Sequence, residues 1–381
     1  MLLPLLLALT PQAREEGPPP VEYRAGLRTS DTEGEVRWRF NGRLMLDALE
    51  AQDTLAEDGQ EVRRARILAQ GTIGNHLGAR LQWDLSDSEE ELLEGMLDWR
   101  TCPLGTLRLG HFREPFGLNA RTSSAYLSFL ERSSPTDAFT AGRNRGAQLS
   151  RRGPRWSLAA GLFRDADRPF PGDGLGEGRA ATARATWLPV RTEEDARLLH
   201  LGLSASLRDP NSDGLRLAAD PGSNLIGPLV DTGSLPARNA TVVGLEAAWI
   251  DGPRSAQAEV FLSEIDLPGP DGSPWGVSVQ GSYFLTGERR TYRDSTSSFG
   301  PPVVHRPVFG GGPGAWELAA RWSRTDLDEG AVAGGTMQDL TLGVNWYLSP
   351  HARLMLDYLD ARVEGPGDQG QALMVRLHLG F

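Results

Sequence analysis

Residues 36–48 read VRWRFNGRLMLDA. Val36, Trp38, Phe40, Gly42, Leu44, Leu46 and Ala48 fall on one face of an extended chain; Arg37, Arg39, Asn41, Arg43, Met45 and Asp47 fall on the other. A period of two with one apolar and one polar face is the mark of a β-strand between two unlike media. The pattern recurs. Leu77, Ala79, Leu81, Trp83 and Leu85 alternate with Gly78, Arg80, Gln82 and Asp84, and later Val243 to Trp249, Val277 to Leu285, Trp316 to Trp322 and Leu340 to Leu348 do the same. Sixteen segments qualify, near 35–49, 61–74, 76–86, 91–100, 105–112, 145–152, 155–164, 179–189, 198–209, 240–251, 255–266, 275–287, 315–326, 337–348, 352–363 and 371–381. Most span about ten residues, the length with which a tilted strand crosses a bilayer, and their number is even.

The connections support the same reading. Turns after the second, sixth and tenth segments are tight, at Asn75, Gly153-Pro154 and Asp251 to Arg254, while connections after odd-numbered segments are longer, at 113–144, 164–179 and 209–239. Short turns on one side and long loops on the other describe an all-β, transmembrane antiparallel barrel of about 16 strands. The long stretch 288–314 breaks the pattern by following an even-numbered strand. It carries Phe299, Val303, Val304, Val308 and Phe309, which need cover, so it is expected to fold back into the barrel mouth. Trp38, Trp83, Trp249, Trp316, Trp322 and Trp346 are expected to point outward, where an indole suits the headgroup level.

Composition narrows the function. The chain has 381 residues, 39% hydrophobic and 23% charged, too apolar for disorder and too polar for a bundle of membrane helices. Its net charge of −11 argues against a nucleic-acid partner. Every one of the 39 basic residues is arginine, a planar and permanently charged donor. Cys102 is the single cysteine, so the chain offers no internal disulfide and no cysteine-based metal motif. The six histidines, His76, His111, His200, His305, His351 and His378, sit in no GxSxG or HExxH setting. No catalytic residue, cofactor or metal is therefore expected, and the chain does not read as an enzyme. At the N-terminus Leu2 to Leu9 resemble a signal-peptide core. The expected layout is a signal peptide over 1–13, a periplasmic lead-in over 14–34, and the barrel over 35–381.

The residues also carry a resemblance. GLRTSDTEG at 26–34, FNGRL at 40–44, VRRARI at 62–67 and LGHFREPFGLNARTSSAYLSFLERS at 109–133 come in order. VVGLEAAW at 242–249, GPRSAQAEVF at 252–261, YFLTGERRTY at 283–292, GAWELAARWS at 314–323 and LGVNWYLSPHARLMLDY at 342–358 follow. Taken together they resemble the phosphate-selective porins of the O and P type. The resemblance implies a barrel in the bacterial outer membrane, a homotrimer among outer-membrane lipids, and a channel for small anions, phosphate or polyphosphate among them. The final face of Leu373, Val375, Leu377, Leu379 and Phe381 is similar to the strand that the outer-membrane assembly machinery reads.

On these registers twelve arginines face the lumen: Arg37, Arg39, Arg43, Arg64, Arg66, Arg80, Arg108, Arg184, Arg208, Arg321, Arg353 and Arg376. Eight inward acids oppose them, so the excess acid belongs to loops and turns. Fixed positive charge in a narrow channel favours anions. The stretch 113–144 is too long for a surface turn and carries Phe116, Tyr126, Phe129 and Leu130, so it is expected to fold inward and narrow the pore. The resemblance places an anion site where that loop meets the wall, with Arg43, Arg63, Arg64, Ser123, Ser124, Arg132 and Arg353 as its residues. Guanidinium forks and hydroxyls suit phosphate oxygens. Two departures weaken phosphate selectivity: the family's constriction lysines are absent, and 209–239 carries only Arg216 and Arg238 where relatives have an arginine run. The alternative is a general, non-selective porin.

Overall fold

The computed structural model describes residues 22–23, 26–31, 34–52, 55–86, 91–165, 178–211, 213–365 and 369–381; the expected signal peptide lies outside them. Sixteen antiparallel strands run in sequence: β1 Val36–Ala51, β2 Gly59–Ile73, β3 Leu77–Asp84, β4 Glu91–Cys102, β5 Gly105–Arg113, β6 Arg143–Arg152, β7 Trp156–Arg164 and β8 Arg179–Arg191. β9 Arg197–Asp209, β10 Asn239–Asp251, β11 Arg254–Asp266, β12 Trp275–Phe284, β13 Ala315–Asp326, β14 Thr336–Ser349, β15 Ala352–Val363 and β16 Gly370–Gly380 complete the wall. Each strand pairs with its neighbours in sequence, and β16 pairs with β1 from Ala372↔Ala51 to Gly380↔Arg43, which closes the sheet. Closure leaves no sheet edge within the bilayer, where an unpaired peptide group would have no partner.

The faces are inverted relative to a water-soluble protein. Leu97, Leu109, Leu162, Leu203, Leu245, Leu342 and Val375 are exposed, while Arg321 and Arg376 are among the largest fully buried side chains. Apolar residues outside and paired charges inside are what a lipid-facing barrel requires. The six tryptophans expected outward all lie on the outward phase. Trp38, Trp99, Trp156, Trp187, Trp249, Trp316 and Trp346 gather at the short-turn end, with Trp316 and Trp346 stacked at 5.0 Å between centroids. That belt marks one membrane interface.

Three long connections pack inside. The first runs from Glu114 to Gly142, shorter at each end than its expected 113–144, because Arg113 and Arg143 pair with each other in the wall. It holds the helices α1 Leu118–Arg121 and α2 Ser134–Phe139. The second, between β9 and β10, crosses the lumen. Its Leu217, Ala219 and Val230 pack with Phe139, Phe261 and Ile265 on one side, and its Leu225, Ile226 and Leu229 reach Leu49, Met355 and Leu359 on the other. The third, between β12 and β13, folds back as expected. Tyr292 and Phe299 bury against Leu118 and Ile250, and Val304 against Phe284 and Tyr347, although Val303 and Phe309 stay exposed. Part of the expected lead-in also joins the wall: Leu27–Ser30 pairs with β1 below the end of β16, from Leu27↔Phe40 to Ser30↔Arg37.

Candidate functional site

The inward loop is held by charged groups of the wall. Leu118 and Asn119 donate their backbone N–H groups to the Glu259 carboxylate at 2.6 and 3.0 Å, which caps the start of α1. Leu130 N–H donates to Asp357 at 2.8 Å, and Ser128 Oγ to Glu317 at 2.8 Å. Asn345 and Arg353 donate to the carbonyls of Ser128 and Leu127, each at 2.8 Å. Glu131 is the hub: it accepts from Arg63 at 2.9 Å, from both arms of Arg64, and from Arg376 at 2.7 Å. These charge-assisted bonds pull the Glu131 carboxyl well below the ordinary carboxylate range, against the desolvation that opposes them.

Adjacent arginines on a strand should point to opposite faces. Arg63 and Arg64 both reach Glu131 because the β1–β2 ladder slips between Met45↔Arg64 and Leu46↔Val62, leaving Arg63 as the extra residue of a bulge.

Below the loop, toward the short-turn end, lies a chamber of about 1050 Å³. It is bounded by the β1–β6 wall, the inward loop around Thr122 to Tyr126, the third connection from Arg293 to Val304, and Phe381. Thirteen of its lining residues are arginines, against two carboxylates, Glu94 and Asp98. Four of these arginines are matched: Arg80 and Arg143 share Glu94 at 3.0 Å each, Arg108 pairs with Asp98 at 2.7 Å, and Arg66 reaches Asp84 at 2.6 Å.

Four others hydrogen-bond only to neutral acceptors among the described residues. Arg43 donates to Ser123 Oγ at 3.1 Å, Arg113 to the Ala120 carbonyl at 3.4 Å, and Arg121 to the Arg113 carbonyl at 2.9 Å. Arg132 donates to the carbonyls of Asn119 at 3.2 Å and Thr122 at 2.8 Å. Burial first, then the guanidinium of Arg108, brings Arg121 down to about 9; burial, then Arg64, brings Arg132 down to about 10. Both stay charged at neutral pH. Clustered cations that outnumber the carboxylates around them make a site whose charge balance an anion completes.

The residues expected from sequence divide accordingly. Arg43, Ser123, Ser124 and Arg132 line the chamber together. Arg63, Arg64 and Arg353 tie the loop to the wall instead, Arg353 being 2% exposed against Leu127 and Tyr347. Arg113, Arg121 and Arg143 were not singled out by the sequence. Two stand at strand termini and one on a loop helix, where no alternation marks an inward residue. The lead-in and the third connection add Arg28 and Arg293, the latter 5.5 Å over the Tyr126 ring.

Comparison with known proteins agrees with this architecture. Residues 35–381 match the family described as phosphate-selective porin O and P. An uncharacterized protein of Caulobacter vibrioides is 30% identical over 86% of this chain and 69% of its own length. Porin O of Pseudomonas aeruginosa is 26% identical over 95% of this chain and 92% of its own. Among solved structures, an anion-selective porin from Comamonas acidovorans superposes with a TM-score of 0.59 over 91% of this chain and 100% of its own, at 13% identity, a likeness of fold.

Proposed function

This chain belongs to the phosphate-selective porin O and P family, and from that premise we propose that its arginine chamber is the selectivity filter of an outer-membrane pore for small anions. The protein is a porin of the bacterial outer membrane, a passive diffusion channel rather than a catalyst. The observation that carries the anion reading is the chamber's lining of thirteen arginines against two carboxylates. A cation there meets uncompensated like charge, whereas an anion exchanges water for guanidinium forks in a low-dielectric passage. Arg43, Arg113, Arg121 and Arg132, with Ser123 and Ser124 as hydroxyl donors, form the binding step. Family membership supports a homotrimer, and the apolar face of Leu373, Val375, Leu377, Leu379 and Phe381 supports recognition by the assembly machinery.

Selectivity for phosphate over chloride is modest in this reading. The loop between β9 and β10 presents Asp213, Asp220 and Asp231, and its Arg216 is spent on Asp231. The test is the zero-current potential of purified protein in planar bilayers across a potassium chloride gradient, followed by titration of the chloride current with phosphate. An anion-selective potential is expected, with phosphate competing at millimolar concentrations or above. A cation-selective potential would overturn the assignment.

A further inference from the structure

Every residue of α2 is buried except Asp137. The helix sits toward the long-loop side: Ser134 and Phe139 meet the outer parts of β14 and β12, at Asp339 and Gly276. α2 also packs on the hairpin of Ala218–Ala219 with Val230–Asp231, and Ala138 and Phe139 share one cluster with Leu217, Ala219 and Val230. That contact joins the two loops that fold in from outside, and it sets Asp220, next to Ala219, within electrostatic reach of Asp137. Neither carboxylate has a hydrogen bond or an ion pair among the described residues. Asp137 faces Arg132 and Glu131 of its own loop, Asp220 of the crossing loop, and Arg321 of β13. Asp220 faces Glu131 and Arg63 of β2. Glu131 is already taken up by Arg63, Arg64 and Arg376, and neither Arg132 nor Arg321 closes an ion pair with Asp137 among the described residues, so both carboxylates stay open to the lumen.

We propose that Asp137 and Asp220 form an acidic checkpoint on the outer side of the arginine chamber, which holds anions back while ionised and admits them when protonated. The proposal rests on the reading of the chamber as an anion filter. An anion approaching from outside passes two unpaired carboxylates before it reaches Arg132, and the repulsion scales with its charge, so the pair favours monoanions over more highly charged ones. Burial, reinforced by Glu131 and opposed by Arg63, pushes Asp220 up to about 6. The protein packed around Asp137 raises it as well, opposed by Arg132 and reinforced by Glu131 and Asp220, while the exposure of its own side chain to water limits the rise. Raised carboxylates are ionised at pH 8 and take up protons as the pH falls through 6, whereas Arg121 and Arg132 keep their charge over that range. Anion passage therefore rises in acid.

The experiment measures the chloride-to-potassium permeability ratio from zero-current potentials at pH 8 and pH 5, for the wild type and for D137N, D220N and the double variant. Folding is verified by heat-modifiable gel mobility. The wild-type ratio is expected to rise roughly threefold or more from pH 8 to pH 5, as for a unit charge removed at close range in a wetted channel. The double variant should match the acid wild type at pH 8 and change little on acidification. Each single variant should fall between, which keeps the test open if the double variant does not fold, and Asp137→Glu should retain the pH response. An anion-selective wild type with variants that track it at both pH values overturns the checkpoint and leaves the chamber assignment standing. A wild type and double variant that both lack anion preference at either pH overturn the chamber assignment and the checkpoint together.

Discussion

Arg64 holds Glu131 with both arms of its guanidinium, at 2.9 and 2.8 Å. One partner belongs to the wall and the other to the inward loop, so this pair sets the position of the loop. Arg376 stands beside it, bonded to Asp47 by two arms at 2.6 Å and to Glu131 by one at 2.7 Å. Arg321 donates to the Glu131 carbonyl at 2.9 Å. Buried ion pairs contribute little net stability against a well-packed apolar alternative, but losing one partner strands the others. The network's role is to fix the loop in a single place rather than to strengthen the barrel.

Glu131→Gln tests that role. The amide keeps the shape but leaves Arg63, Arg64 and Arg376 short of one negative charge, at a cost of about 3 kcal/mol, the lower end for breaking a buried pair. The barrel ladder is untouched, so the variant should still fold and show heat-modifiable mobility, with a lower melting temperature. Single-channel recordings should show larger and noisier conductance as the loop leaves the lumen. Quiet channels of wild-type conductance would mean that the other tethers suffice.

Arg43→Ala and Arg254→Ala remove the same charge from different places. Arg43 lines the chamber on Ser123 and has no carboxylate partner among the described residues, whereas Arg254 sits at a short turn. A unit charge 4 Å from a permeating ion is worth about 1 kcal/mol even in water, or roughly a fivefold change in permeability ratio. The Arg43 variant should lose anion selectivity on that scale and the Arg254 variant should lose almost none. Arg132→Ala should reduce selectivity and also loosen the loop, because it abandons the carbonyls of Asn119 and Thr122. Equal shifts for Arg43 and Arg254 would remove the chamber from the selectivity argument.

The strands were legible because membrane alternation needs only a period of two, repeated until the barrel closes. All sixteen lie within a few residues of where the pattern puts them, and the inward phase of Arg66, Arg80 and Arg108 follows from it directly. The division of labour among arginines was not legible. Arg376 and Asp47 are 329 residues apart, and nothing local in MVRLH says that this arginine is consumed by a seam-spanning carboxylate while Arg43 is not. The bulge at Arg63 left a trace, two adjacent arginines between an outward Val62 and an outward Ala65, but its consequence depends on where Glu131 arrives. Arg121 belongs to a loop helix whose direction is set by Glu259 on a distant strand, 140 and 141 residues from the groups it caps.

The third connection braces the loop from the opposite side. Arg290 donates to the Tyr126 carbonyl and to Ser128 Oγ, and its guanidinium stacks 4.3 Å over Phe299. Tyr292 OH bonds His200 Nδ1 at 2.8 Å. Arg290→Ala should detach the connection while its aromatic residues still favour the wall. Limited proteolysis from the periplasmic side should then cut within 285–314 at least several times faster than in the wild type, and conductance should rise. Unchanged cleavage would show that Tyr292 and Phe299 hold the segment without the arginine.

Gly42 and Phe381 make the last contact of the seam. Gly42 N–H donates to the Phe381 carbonyl at 3.2 Å, Phe381 N–H donates to the Gly42 carbonyl at 3.0 Å, and the phenyl ring lies over Gly42. A Cβ at position 42 would stand 2.7 Å from that ring and 2.7 Å from the Arg66 carbonyl. The ring could swing aside, but the Arg66 carbonyl belongs to the β1–β2 ladder and has no such freedom. Gly42→Val should therefore strain both sides of the first strand where the barrel closes, costing about 1–3 kcal/mol, the usual range for overpacking. Gly269 is the matched control, since a Cβ there meets nothing within 4 Å and the loop lies outside the wall. Refolding yield in detergent, read as the fraction with heat-modifiable mobility, should fall for Gly42→Val and hold for Gly269→Val. Phe381→Ala in the Gly42→Val background removes the clash with the ring but not the clash with the carbonyl. A full recovery of yield there would place the whole effect at the aromatic terminus, and a partial recovery would divide it between the seam and the β1–β2 ladder.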